Sequence, residues 1–234
     1  MREIERAAPD VGIVTVAPEL DGGLELIRWL AARVPRVSLG HSAASFDVAL
    51  EAIGAGARHA THLFNRMPPL GHRAPGLAGA VLTQRGSRRG DHLRCAITCT
   101  RRWSAPRLPR STRRACLRLP MERRRRGLPV SARARLGGRT ITAGRAGAVL
   151  DDGTLAGSTL TMDGAFQSLI GRIGLSIVDA ATLCATTPAR ELGLVGHGVL
   201  APEAVADLVV LDAMFAVVQT YIGGQLVYSR KSEV

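Results

Sequence analysis

Alternating strand and helix patterns near the start of the chain constrain the fold more than any other feature of the sequence. Residues 11–17 form a β-branched apolar run, residues 24–34 carry apolar side chains at helical spacing, and residues 37–39 form a second apolar run. A second helical pattern, which Ser45 can cap, leads to a third strand pattern at 58–61. This order is typical of parallel sheets built from βα units, so we expect an α/β fold.

The end of the chain has a different pattern. Three short strand patterns follow one another at 207–212, 216–222 and 225–228, and Gly223-Gly224 separates the last two. Strands joined by a two-residue glycine turn form antiparallel hairpins. We therefore expect a small β unit after the βα region.

Positive charge is concentrated in one internal segment. The formal net charge is +12, and residues 85–135 contain 17 Arg but only two acids, Asp91 and Glu122. Such a run could bind nucleic-acid phosphates, so a nucleic-acid-binding protein is one alternative. Against it, Trp103 is the only aromatic residue in the run, and no recognisable nucleic-acid-binding module is present.

The cysteine content and the apolar runs of the sequence indicate where in the cell the protein is expected. Four Cys in 234 residues do not make a disulfide framework. The N-terminus lacks a signal-peptide pattern, and no apolar run reaches the length of about 18 residues that a membrane helix needs. We expect a cytoplasmic protein with no membrane partner.

Two histidines follow neighbouring strands of the predicted sheet. His41 comes after the strand at 37–39, and His62 comes after the strand at 58–61, one βα unit later. The carboxyl ends of barrel strands converge on one site, and neutral imidazole is a favoured ligand of zinc and similar ions. The pair is therefore a candidate metal site, although spacing alone equally allows two hydrogen-bonded structural histidines.

Two other segments carry candidate binding residues. Asn65 and Arg73 lie in the loop after His62, where Arg73 could bind a carboxylate or phosphate, although a solvated arginine is the simpler interpretation. The segment 155–162 leads into a helix whose first backbone N–H groups could hold an anion, although an ordinary helix start explains it as well.

Seven motifs, in this order, resemble N-acetylglucosamine-6-phosphate deacetylase, a family of the amidohydrolase superfamily. The resemblance covers about 11–83 and 127–230. The motifs are Gly40-His-Ser42, Thr61-His-Leu-Phe-Asn65, Met67-Pro-Pro69, Arg73-x-Pro-Gly76, Leu155-Ala-Gly-Ser-Thr-Leu-Thr-Met162, Thr187-Pro-Ala-Arg190 and Ala206-Asp-Leu-Val-Val-Leu-Asp212.

The resemblance implies an incomplete (β/α)8 TIM barrel of the metal-dependent amidohydrolase type with a small C-terminal β-sandwich remnant. We expect four regions: barrel βα units with the histidines at 1–83, an anomalous and disordered Arg-rich segment at 84–126, further barrel with a β-hairpin insertion and helices at 127–195, and the sandwich remnant at 196–234.

The resemblance also implies an activity, which is hydrolysis of the acetamide of N-acetylglucosamine 6-phosphate by metal-activated water. His41 and His62 would bind a divalent metal such as zinc or iron. The implied substrate-binding residues are Asn65, Arg66, Arg73, Leu155, Ala156 and Gly157. The partner would be an amino-sugar phosphate, and the family forms homodimers, which an incomplete barrel is not expected to form. A dihydroorotase- or hydantoinase-like amidohydrolase is a second alternative, which the Asn65–Arg73 loop disfavours.

Three departures from the family pattern affect the expected activity. The family's earlier strands, with a metal-binding Glu, are expected to be missing. Arg66 occupies a position that is usually small in the family. The Arg-rich segment occupies the place of an Asp-Gly-x-His substrate motif and of a Thr-Asp motif, so the family's catalytic Asp is lost near Pro120-Met121 and no catalytic residue is assigned.

The genetic code offers an explanation for the Arg-rich segment, which is a shifted reading frame. Residues 120–127 can be encoded so that another frame reads Asp-Gly-Thr-Ala-Ala-Ala-Gly, which resembles the catalytic-Asp strand, and the same shift over 97–104 permits His-Val-His-Pro-Ala-Val-Val, which resembles the substrate-His run. We hypothesise that 84–126 is translated out of frame between two compensating insertions or deletions. Glu122 in an Arg-rich run is better explained as a solvated, ion-paired group than as a base. The chain then has no catalytic carboxylate, and its barrel is incomplete. We therefore expect an unstable product with little or no deacetylase activity.

Overall fold

The structure is a computed structural model that describes residues 1–7, 10–34, 36–84, 131–136, 138–144, 147–158 and 160–230, together with two short strands at 94–97 and 116–117. The chain divides into two units. The first comprises Met1–Thr98, Leu108–Leu117 and Ala185–Val199, and the second comprises Cys99–Arg107, Arg118–Cys184 and Leu200–Val234.

A five-stranded parallel sheet forms the centre of the first unit. Its strands lie side by side in chain order, β1 (Ile13–Val16), β2 (Arg36–Leu39), β3 (His59–Leu63), β4 (Arg94–Ile97) and β5 (Cys116–Leu117). The helices of this region are α1 (Arg2–Ala7), α2 (Gly23–Ala31), α3 (Phe46–Gly54) and α4 (Gly76–Thr83). The predicted order of strand, helix, strand, helix, strand is confirmed, with β3 continuing past 61 so that His62 lies within it.

Apolar stripes on the helices build the core of this unit. In α2, Ile27 and Leu30 are fully buried, as the helical spacing predicted. They belong to one cluster with Val37 and Leu39 of β2, and burying each such side chain contributes about 1.5–3 kcal/mol. The helix α3 begins after Ser45, whose hydroxyl accepts a hydrogen bond from the N–H of Val48 at 3.2 Å.

The described residues of the second unit form two antiparallel sheets and two α-helices. One sheet has the order β6 (Arg133–Leu136), β7 (Arg139–Gly144), β8 (Gly147–Leu150), β9 (Leu155–Gly157), and the other has the order β10 (Leu208–Leu211), β11 (Val217–Ile222), β12 (Gln225–Ser229). Its helices are α5 (Met162–Gly171) and α6 (Ile177–Ala181). Gly223 and Gly224 turn the chain between β11 and β12, which confirms the predicted hairpin.

The helix predicted at 176–185 is present, but its winding changes within this span and helical structure continues to Glu191. After α6 the chain continues as a π-helical turn, Thr182–Thr186, and then as α7 (Thr187–Glu191) in the first unit. Two features explain the wider turn. The Thr182 hydroxyl donates to the carbonyl of Val178 at 2.8 Å, and Pro188 has no N–H to continue the α-helical ladder.

The expected disorder of 84–126 does not hold for its two described strands. Arg94–Ile97 pairs with β3, and Cys116–Leu117 pairs in turn with that strand. The open edge of β3 offers backbone donors and acceptors that any extended segment can use. Most of the remaining segment, including Pro120 and Met121, lies outside the described residues. Within the part of the chain that the structure describes, no helix has the length and apolar character needed to cross a membrane.

Candidate metal site and its loop

Gly40 connects the end of β2 to His41, the first residue of the candidate metal site. A Cβ atom added to Gly40 would lie 2.8 Å from Cβ of Thr61 on β3 and 3.2 Å from Cγ2 of Thr15 on β1. The chain can pass between these two threonines only without a side chain at this position. Gly40 thereby places His41 at the carboxyl end of the sheet, beside the end of β3.

The imidazole rings of His41 and His62 lie next to each other at the carboxyl ends of the neighbouring strands β2 and β3. Their Nε2 atoms are 2.7 Å apart, and the ring centroids are 4.5 Å apart at an interplanar angle of 59°. His62 is fully buried and His41 is exposed. Burial lowers the pKa of His62 below its ordinary value, and the charges of His41 and Arg66 act in the same direction. These effects favour neutral imidazole, which is the form that binds metals.

The backbone around the pair adopts an uncommon conformation. Between His41 and Arg66, four residues other than glycine have positive φ angles, at 54° for His41, 33° for His62, 73° for Phe64 and 55° for Arg66. The N–H of Asn65 donates to the carbonyl of His62 at 2.8 Å and closes the turn. Such angles are unfavourable for most side chains and cluster at functional sites. The segment from His62 to Arg66 is therefore held in one shape by the fold around it.

The two imidazole nitrogens are close enough to share one divalent ion. Zinc lies about 2.0–2.1 Å from imidazole nitrogen, so two nitrogens 2.7 Å apart can reach one ion. Among the described residues, no group of three His, Cys, Asp or Glu side chains lies close enough together to hold a metal. The separation of the two imidazoles fits two ligands of one ion, and among the described residues no third such side chain joins them.

Glu19 is a candidate functional residue that the sequence patterns did not single out. It follows β1, the neighbour of β2, as His41 follows β2. Its carboxylate accepts hydrogen bonds from the hydroxyl of Ser42 and from the N–H of Ala43, each at 2.6 Å. The rule that selected the histidines, a polar residue just after a parallel strand, also selects Glu19, so this signal was present in the sequence.

Hydrogen-bonded polar side chains also connect the first three strands to one another. The Ser38 hydroxyl lies 2.8 Å from Nδ1 of His59 and 2.5 Å from Oγ1 of Thr61, and Thr61 lies 2.9 Å from Thr15. His59 is buried in β3, and this hydrogen bond gives it a structural role.

The other predicted site residues fall in two places. Asn65, Arg66 and Arg73 lie in the loop between β3 and α4, where Asn65 is half-buried and both arginines are exposed. Leu155, Ala156 and Gly157 form β9 of the second unit, paired with β8. The structure therefore groups the loop residues with the histidines in one unit and places 155–157 in the other.

Comparisons with known proteins confirm the resemblance to the deacetylases. The chain is 35% identical over 232 residues to N-acetylglucosamine-6-phosphate deacetylase of Bos taurus, an alignment that covers 94% of this chain and 54% of the relative. It is 33% identical over 223 residues to N-acetylgalactosamine-6-phosphate deacetylase of Escherichia coli O157:H7, covering 92% and 56%. The chain thus spans about half the length of the curated relatives it matches. No protein-family model matches.

Solved structures show the same similarity. N-acetylglucosamine-6-phosphate deacetylase of Thermotoga maritima superposes with a TM-score of 0.82 at 28% identity, covering 98% of this chain and 62% of that one. A mutant of the Mycobacterium smegmatis enzyme in complex with N-acetyl-D-glucosamine-6-phosphate superposes with a TM-score of 0.82 at 30% identity, covering 97% and 60%. The chain therefore has the mixed α/β fold of these deacetylases.

Proposed function

We propose that this chain, which resembles part of the amino-sugar-phosphate deacetylases, is built to hydrolyse the acetamide of an N-acetylated amino-sugar 6-phosphate, with N-acetylglucosamine 6-phosphate as the first candidate. The finer fold is part of the proposal: an incomplete (β/α)8 barrel with a β-sandwich remnant. One observation carries it, the 2.7 Å approach of the His41 and His62 Nε2 atoms at neighbouring strand ends.

His41 and His62 would hold the divalent metal, with zinc and iron both suited to imidazole. When bound, such an ion polarises an amide carbonyl and lowers the pKa of water. The carboxylate of Glu19 is hydrogen-bonded to Ser42 and Ala43, the two residues after His41.

The loop after His62 would bind the phosphate. Arg66 and Arg73 bring two guanidinium groups to one exposed loop, and guanidinium binds phosphate through paired hydrogen bonds. Asn65 would contact the phosphate through the loop backbone, and Leu155, Ala156 and Gly157 remain predicted substrate-binding residues. The two sugars named for the relatives differ in configuration at one ring carbon, and the phosphate contacts proposed here suit both.

Proton transfer is the step for which this chain has no assigned residue. Deacetylation requires a base to take the proton of water and pass it to the leaving amine. The family's Asp is lost near Pro120-Met121, outside the described residues. We therefore propose that the chain retains metal and sugar-phosphate binding but has little or no turnover, as a damaged copy.

Binding and turnover measured on the same purified chain test this proposal. We expect the zinc-loaded protein to bind N-acetylglucosamine 6-phosphate and not N-acetylglucosamine, and to release acetate far more slowly than an intact deacetylase assayed in parallel. Failure to bind the phosphorylated sugar contradicts the proposed function. Acetate release at the rate of the intact enzyme contradicts the proposed damage.

A further inference from the structure

We propose that the hydroxyls of Ser38, Thr61 and Thr15 form a proton relay between the buried imidazole of His59 and the solvent-exposed side of the sheet. His59 is a titratable side chain that the deacetylation proposed above does not use. The relay needs neither a metal nor a sugar, so its failure and the failure of the proposed function are distinguishable.

Hydrogen bonds join the four side chains in an unbroken chain across β3, β2 and β1. Nδ1 of His59 lies 2.8 Å from Oγ of Ser38. That oxygen is 2.5 Å from Oγ1 of Thr61, and Oγ1 of Thr61 is 2.9 Å from Oγ1 of Thr15. Each link is therefore within the distance range of a hydrogen bond.

Burial decreases from the imidazole end of this chain to the other end. His59 is 3% exposed and Ser38 is fully buried, whereas Thr61 is half-buried and Thr15 is exposed. The imidazole thus has almost no contact with water of its own, and the last hydroxyl can exchange hydrogen bonds with water. Because a Cβ atom at Gly40 would lie within 3.2 Å of both threonine side chains, the outer end of the relay lies beside the turn to His41.

The direction of the hydrogen bonds depends on which imidazole nitrogen carries the proton. A hydroxyl has a single proton to donate, and among the described residues the oxygen of Ser38 has only His59 and Thr61 as partners. When Nδ1 is bare, Ser38 donates to it and the two threonines donate toward the imidazole. When Nδ1 carries a proton, the hydroxyls donate outward, toward water.

Proton uptake by the imidazole converts the first arrangement into the second. Thr15 accepts a proton from a hydronium ion and passes its own proton to Thr61. Thr61 passes its proton to Ser38, and Ser38 passes its proton to Nδ1. Each oxygen loses one O–H bond and gains another, so the imidazole alone acquires the proton and the charge. Histidine commonly shuttles protons, and hydrogen bonds in a chain polarise one another, which favours this transfer.

NMR of the histidine rings across a pH series tests the relay on the full chain, because it measures how fast His59 exchanges between its neutral and protonated forms. We expect Thr61→Val to slow this exchange at least about tenfold, because protonation must then wait for a local opening of the sheet. Thr61→Ser keeps the hydroxyl and should stay within about twofold of the wild type. A purely structural threonine would give the opposite result, since its replacement would loosen the sheet and speed the exchange.

Thr83→Val is the matched control. The Thr83 hydroxyl donates to the carbonyls of Gly79 and Ala80 in α4 and is outside the relay, so its loss should leave the exchange at His59 unchanged. The exposed His72 is an internal reference, and its exchange should be the same in all variants.

Three results would overturn the relay. The first is exchange at His59 in Thr61→Val that is as fast as in the wild type or faster. The second is equal slowing in Thr83→Val. The third is an imidazole that stays neutral over the whole pH range in which the protein is folded, because no proton then passes along the chain. Thr15→Val, at the exposed end, should also slow the exchange, and an unchanged rate there overturns the relay even if Thr61→Val does not fold.

Discussion

Arg36 and Glu191, 155 positions apart in the sequence, form an ion pair with 2.9 Å between Nε of the arginine and Oε2 of the glutamate. Arg36 is the first residue of β2 and Glu191 is the last residue of α7. The Glu191 side chain is 1% exposed, whereas that of Arg36 is 31% exposed. The ion pair connects α7 to the amino end of β2. His41 follows the carboxyl end of the same strand.

Removing the arginine should destabilise the protein. We expect Arg36→Met to lower the free energy of unfolding by about 3 kcal/mol, because the buried Glu191 carboxylate loses its close cationic partner. Urea unfolding measures this change. The exposed pair of Arg6 and Glu3 is the control, and Glu3→Gln should change the stability by less than about 0.5 kcal/mol. Similar losses from both substitutions would contradict the structural importance of the buried pair.

Gly40 should tolerate no side chain. We expect Gly40→Ala to lower the free energy of unfolding by about 1–3 kcal/mol, because the new methyl group meets Thr61 at 2.8 Å and must displace β3 or the turn to His41. The control is Gly54→Ala at the end of α3, where an added Cβ meets nothing within 4 Å. An unfolding curve for Gly40→Ala that matches the wild type would show that the strands adjust freely.

The histidine pair should be needed for metal binding. We expect His41→Ala and His62→Ala each to weaken zinc binding by at least about 100-fold, because the two Nε2 atoms are the only paired imidazole donors among the described residues. Isothermal calorimetry gives the affinities. His72→Ala is the control, since His72 is exposed in the following loop and is not paired with either histidine. Equal affinities for all three variants would rule out the proposed site.

Asp212 should make the second unit sensitive to acid. The Arg230 guanidinium, which donates to Asp212 at 2.8 Å, lowers the pKa of Asp212, and the N–H groups of Ala216 and Met214 act in the same direction. Because the folded-state pKa lies below the ordinary value of about 4, this stabilisation is present above pH 4 and is lost as the pH falls through the folded-state pKa. The Tm difference between wild type and Asp212→Asn should therefore shrink from pH 6 to pH 3.

Arg230→Gln provides the matched comparison for that pH series. It removes the largest cause of the lowered Asp212 pKa and leaves the carboxyl in place. We expect its stability difference from the wild type to shrink over the same pH range. A difference that stays constant from pH 6 to pH 3 in both variants would show that Asp212 does not contribute in this way.

The gene itself decides the origin of the Arg-rich segment. The alignment with the bovine relative covers 94% of this chain, so it runs across 84–126. Two compensating frameshifts replace the residues of a segment and restore the original frame after it. We expect the alternative frame to encode His-Val-His over the codons of 97–100 and Asp-Gly over those of 120–122. Nucleotides that encode neither run would refute the hypothesis.

Local patterns predicted the elements of this protein well. Apolar spacing located α2, α3 and the first three strands, Ser45 marked the start of α3, and Gly223-Gly224 marked the last hairpin. These features depend on interactions within a few residues, which are readable in the sequence. The helix after Ser176 was predicted, but its π-helical winding at Thr182–Thr186 was not, because that winding depends on the Thr182 hydroxyl bond and on Pro188.

The sequence by itself determined the βα order and therefore which residues follow each parallel strand. Only the tertiary structure decided which of them meet. The 2.7 Å approach of His41 and His62, the hydrogen bond of Glu19 to Ser42, and the pairing of Arg94–Ile97 with β3 all join residues more than 20 positions apart. Such contacts depend on strand register and on how closely glycine lets two strand ends approach, and neither is a property of a short stretch of sequence.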